Sequence, residues 1–248
     1  MNAFDTPYRP RRTVRPDMAV DTGLRDFMLG VYNKMGLGLL VSAGLAWASA
    51  AYGPLRDSLF VISDGRLTGY TPLGLALTFA PLVVLLGSAL LLRNATPRLA
   101  SLLYWCVVAL IGASLGALAL RYTGQSLAST FLVTAAAFGA LSFYGYTTRR
   151  DLSGLGTFLI MGVIGLILAG LVNLFLQSSI LMLVISGLGV LIFAGLTAHD
   201  TQRLKMTYYQ LGGDRAALGS ATSFGALSLY LDFINLFQFL LVFLGQRR

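Results

Sequence analysis

The feature that most limits what this chain can fold into is a series of long apolar runs separated by short polar breaks. A membrane-spanning helix needs about 20 mostly apolar residues at 1.5 Å each. Seven segments meet that length: Met35–Tyr52, Leu73–Leu92, Leu102–Leu120, Leu127–Tyr146, Leu155–Phe175, Ile180–His199 and Phe224–Leu244. Only 11% of the residues are charged and 56% are apolar, where a soluble domain carries about 25% charged residues to meet water on all sides. The pattern therefore predicts an all-α membrane protein with seven transmembrane helices, occupying residues 34–248. Residues 1–33 are polar, with Pro7, Pro10 and Pro16 set among Arg9, Arg11, Arg12 and Arg15. They read as a basic, disordered cytoplasmic tail rather than a cleavable leader, because no short apolar core precedes a small-residue cleavage site.

The net charge of +8 does not point to nucleic acid. Its basic residues flank apolar runs, where they set topology or meet anionic headgroups, instead of gathering on one folded face. With the N-terminus inside, thirteen of the 18 Lys and Arg residues lie on the inner side. Seven spans then place the C-terminus outside. Arg247 and Arg248 dissent from that count, as they would if the last span were a re-entrant hairpin. Cys106 is alone, so it can form neither an intrachain disulfide nor a zinc cluster. Gly112 and Gly116 form a GxxxG pair in the third span and, with Gly36, Gly162, Gly165, Gly187 and Gly189, read as close-packing points between helices. Pro81 should kink the second span.

Charges inside spans are costly, so they are candidates for function. Asp232 lies within ALSLYLDFINLFQFLL, and Ser228 and Asn235 share its helix face, making a polar stripe that must turn inward. The bland alternative is a polar clasp between helices. Asp200 closes the sixth span in GLTAHDTQRLK, beside Arg203, and reads equally well as a surface carboxylate. If the last span starts at Phe224, Asp232 is about 12 Å deep by helix rise. The two acids then meet only if that span starts later or the sixth runs less deeply.

The stretches AHDTQRLK and LYLDFINLFQFLL, with YGYTTRRDLSGLGTFLIMGVIGLILAGLVNLFL before them and VYNKMGLGLL at the first span, resemble the transmembrane Bax inhibitor motif (Bax inhibitor-1-like) family. The similarity runs from about Asp21 to the C-terminus and suits a bacterial member of the inner membrane. It implies six helices around a central, polar seventh. It also implies that Asp200 and Asp232 are the pair that senses pH and controls a calcium leak, and that Arg93 is the arginine latching them. His199 stands where the family more usually has tyrosine, and is a modulator of the pH response if its titration is felt by Asp200. Two carboxylates in contact share a proton and titrate as a coupled pair. At low pH the proton clamps two helices, and as pH rises repulsion loosens them. Two carboxylates and Asn235 make a weak Ca²⁺ site, since tight sites take six to eight oxygens. No cofactor is implied beyond Ca²⁺ as the permeant ion.

Three rivals are weaker. The aspartyl-protease GxGD motif and a serine-hydrolase GxSxG are missing, so no enzyme is expected. Span seven has no lysine for a retinal Schiff base. No inverted repeat or pair of broken helices marks a secondary transporter. The stronger competitor is a membrane scaffold, since some relatives restrain a membrane-anchored, ATP-dependent quality-control protease. Under that reading, partner contact falls to the basic tail or to residues 203–223.

Overall fold

The computed structural model describes residues 21–64, 66–91 and 96–247. Its helices are α1 (Thr22–Ala51), α2 (Gly53–Leu59), α3 (Pro72–Leu91), α4 (Pro97–Ser114), α5 (Gly116–Arg121), α6 (Gly124–Thr147), α7 (Ser153–Leu176), α8 (Ser179–Leu211) and α9 (Arg215–Leu244). A two-stranded antiparallel hairpin, β1 (Phe60–Ser63) and β2 (Arg66–Tyr70), stands between α2 and α3. Among the described residues six helices are long and apolar enough to cross a membrane, counting α4 with α5 as one, and α3 adds a shorter apolar helix. Large apolar side chains such as Leu40, Trp47, Leu132, Phe158 and Leu191 point outward. Water would not tolerate such a shell, but hydrocarbon does, so the chain is an all-α membrane protein.

The first helix begins at Thr22, not at 34. Asp21 caps it, its carboxylate accepting from the Leu24 amide at 3.1 Å. Leu24, Phe27, Met28 and Val31 are all buried, a helical stripe that Arg25, Asp26 and Asn33 conceal from a hydropathy average. Residues 21–33 thus belong to the folded body. The rest of the expected tail, residues 1–20, lies outside the described residues.

α9 is the most buried of the long helices and α7 the least. α1, α4, α6 and α8 all pack on α9. α9 runs unbroken, with no re-entrant turn, and its C-terminal residues are pinned to the α5–α6 connection. The Thr123 amide donates to the Gln246 carbonyl at 3.0 Å, and Tyr122 pairs with Arg247. Between α1 and α4 the GxxxG pair does what close packing requires: a Cβ on Gly112 would stand 2.7 Å from the Ser42 Cα. Pro81 sits inside α3, where it removes the amide that would bond the Leu77 carbonyl. The α7–α8 turn is as short as the sequence suggests, with Gln177 left-handed at φ 48° and the Ser178 hydroxyl capping α8.

Candidate functional site

α8 runs eleven residues beyond Asp200, and α9 begins nine residues before Phe224. Asp200 is therefore not at a helix end, and a polar row of Thr197, Asp200, Thr201, Gln202 and Lys205 continues buried along α8. α8 and α9 are antiparallel, joined by a turn with Gly212 and Gly213 at positive φ. Counted from that turn, Asp232 lies about 9 Å further into the bundle than Asp200 by helix rise. Every helical Cα–Cβ bond tilts toward its own N-terminus, so on antiparallel helices the two carboxylates lean toward each other.

Both acids are nearly buried, at 7% and 5% exposure, and both line one cavity of about 820 Å³ with Ser228, Asn235 and Gln238. They do not bond each other. Asp200 uses both oxygens elsewhere: His199 Nδ1 lies 2.9 Å from Oδ1, and the Arg203 guanidinium donates to Oδ2 at 3.3 Å. Asp232 Oδ2 is buried with no hydrogen-bond partner among the described residues. An orphaned buried oxygen of this kind is costly unless a proton or cation visits it. Asn235, which also lines the cavity, donates an amide N–H to the Leu231 carbonyl at 2.8 Å. Among the described residues no three His, Cys, Asp or Glu side chains converge to hold a metal. The donor set is two carboxylates with amides and a hydroxyl, which suits transient hold on a hard cation.

Arg203 is the residue that sequence reasoning undervalued. Besides Asp200, its guanidinium donates to the Ser228 hydroxyl of α9 at 3.0 Å, so it bridges the two acid-bearing helices. Arg93, the expected latch, lies outside the described residues. A second cavity, of about 660 Å³, is lined by His199, Arg203, Asp151, Gln202 and Thr207. The bonded group His199–Asp200–Arg203–Ser228 thus stands between two cavities. On its other side the His199 ring packs against Gly156, where an added Cβ would overlap it. In the second cavity the hydroxyl and amide of Ser153 hold the Asp151 carboxyl below the ordinary carboxylate range, with a smaller contribution from His199.

The wall of that cavity is fastened by α8 as well. The Gln202 side chain accepts from the Leu152 amide and donates to the Arg150 carbonyl, both at 2.8 Å. Lys205 Nζ donates to the Tyr146 carbonyl at 2.7 Å, placing its charge at the C-terminal end of α6, where the helix dipole welcomes it. A row of polar residues two to five places past Asp200 was the available signal for both. Gln202→Ala should cost about 2 kcal/mol, because it orphans a buried amide and a carbonyl. Thermal unfolding in detergent will show a lower midpoint, and an unchanged midpoint would mean the loop is held by something else.

Fold and site together define an all-helical membrane protein with a polar cavity around two buried acids. The sequence profile of the family described as Inhibitor of apoptosis-promoting Bax1 matches residues 24–248. A protein of Caulobacter vibrioides is 59% identical, with the whole of both chains aligned. One from Rickettsia prowazekii is 44% identical over 95% of this chain and 96% of its own. The inner membrane protein YbhL of Escherichia coli is 42% identical over 91% of this chain and 94% of its own. The chain belongs to the Bax inhibitor-1-like family.

Proposed function

We propose that the chain is a pH-sensitive Ca²⁺ leak pathway of the bacterial inner membrane, with seven spans of which six surround α9. The observation that carries this reading is one cavity lined by two buried carboxylates, one of which has an unpartnered oxygen. The inner-membrane location is supported by the likeness to YbhL. The excess of basic residues near the α8–α9 turn favours a cytoplasmic N-terminus and an outer C-terminus.

In this reading Ca²⁺ in the larger cavity meets Asp232, and then the bonded group of His199, Asp200, Arg203 and Ser228. Arg203 is the bolt, because its positive charge both neutralises Asp200 and repels a cation crossing to the second cavity. When Asp232 carries a proton the cavity offers too little charge to draw Ca²⁺ from water. Deprotonation supplies that charge and drives the two carboxylates apart.

Ca²⁺ flux into liposomes holding the purified protein, measured from about pH 6 to about pH 8, tests the proposal. Wild type should leak faster at the higher pH, and Asp232→Asn or Asp200→Asn should flatten that dependence. If wild type conducts no more than protein-free liposomes, the channel reading fails. The scaffold reading, with a membrane-anchored protease as partner, then takes its place.

A further inference from the structure

On the opposite side of α9 from the acid cavity, a groove of about 540 Å³ opens between α1 and α6. Its walls are Met28, Leu29, Phe138 and Phe143, with the cavity floor reaching Gly139, where an added Cβ would meet nothing within 4 Å. At its mouth stand Arg25 and Tyr146, with Tyr32 about 10 Å further in along α1. Arg25 is one turn from the start of α1 and Tyr146 one residue from the end of α6. The groove therefore runs inward from a membrane interface for about 12 Å by helix rise. Arg25 is exposed and makes no ion pair among the described residues. Arg25 is the charged side chain that lines the groove; exposed Arg149 and Arg150 follow Tyr146 in the chain, and exposed Asp26 and Asp151 neighbour Arg25 and Arg150.

We propose that this groove is a binding site for one anionic phospholipid, its phosphate on Arg25 and one acyl chain along Leu29 and Phe138. An apolar slot that opens sideways into a bilayer is filled by hydrocarbon, because water there would find no hydrogen-bond partners. Arg presents a planar fork that grips a phosphate in two places, and Tyr146 sits favourably at the headgroup level beside it. Charge complementarity selects the anionic class: Arg25 is the charged group lining the groove and has no ion-pair partner among the described residues, and a zwitterionic headgroup brings its own cation to it. The site is independent of the acids and of any ion flux.

The test uses full-length protein titrated with phosphatidylglycerol and, separately, with phosphatidylcholine of the same acyl chains, bound lipid being counted by native mass spectrometry. Wild type should retain phosphatidylglycerol about fivefold better. Arg25→Gln, at an exposed position, should erase that preference, and Gly139→Phe should fill the groove and lose the tightly held lipid of either class. Arg25→Gln with undiminished preference overturns the proposal. So does Gly139→Phe with wild-type occupancy, or protein dimers forming through the groove in place of lipid.

Discussion

Arg203→Ala is expected to raise the initial Ca²⁺ flux about tenfold near neutral pH, equivalent to about 1.4 kcal/mol off the barrier. The side chain is half exposed, so its attraction to Asp200 is screened and contributes little to stability. Its position matters more than its strength. The guanidinium stands between the two cavities, bonded to Asp200 on α8 and Ser228 on α9, and any cation passing must displace a fixed positive charge. Removing it opens the passage and frees the Asp200 Oδ2 to face the ion, beside the already unpartnered Asp232 oxygen. Arg203→Lys should fall between wild type and Ala, because an ammonium keeps the charge without a fork that spans both partners. The thermal midpoint should stay close to wild type in both. A flux that is unchanged or lower in Arg203→Ala would remove Arg203 from the gate while leaving the aspartates' role to their own substitutions.

Gly145→Val is expected to destabilise the fold by about 3 kcal/mol or more, near the top of the range for overpacked sites. α6 approaches α8 so closely there that a Cβ would press into the carbonyl of Ala198 and stand 2.9 Å from its Cα. Neither contact is a flexible side-chain end, so the helices themselves must part. Gly139 is six residues earlier on the same helix and faces open space. Gly139→Ala should therefore cost nothing, and the contrast separates close approach from any general effect of glycine on α6. Because Ala198 lies two residues before Asp200, Gly145→Val should also disturb the flux and its pH response. Equal midpoints for the two variants would contradict the helix contact.

Much of the fold was legible because a bilayer leaves few options: long apolar runs become helices, and turns as short as 176–179 become hairpins. Legibility ended where polar residues are paid for by partners distant in sequence. Hydropathy stops at His199, but α8 continues because Gln202 bonds the α6–α7 connection and Lys205 the last turn of α6, which no local window sees. The same holds for α1, whose first turns carry charges on one face and core residues on the other. The β1–β2 hairpin had a readable mark, Asp64-Gly65 between alternating apolar residues, that the search for spans passed over. Asp232 was found from its polar stripe, and Ser228, Asn235 and Asp200 do line its cavity. Arg203, three residues on along the acid's own helix, bonds Asp200, while Arg93 lies outside the described residues.

The burial of α9 bears on how the protein is made. The helix that α1, α4, α6 and α8 pack against follows all of them in the chain, so a ribosome delivers the surrounding wall before the post it leans on. Until α9 arrives, Ser42 lacks the Tyr230 hydroxyl that it bonds at 2.7 Å, and the Lys34 ammonium lacks Ser223. Ser42 keeps the Val108 carbonyl and Lys34 keeps Ser101, both on α4, but each is only partly satisfied, a state that draws quality-control factors. α1 with α4, and α6 and α7 with α8, can already pack on each other, but the wall lacks its centre until α9 arrives. A nascent chain stalled before Arg215 should therefore be degraded rather than accumulate as a smaller bundle.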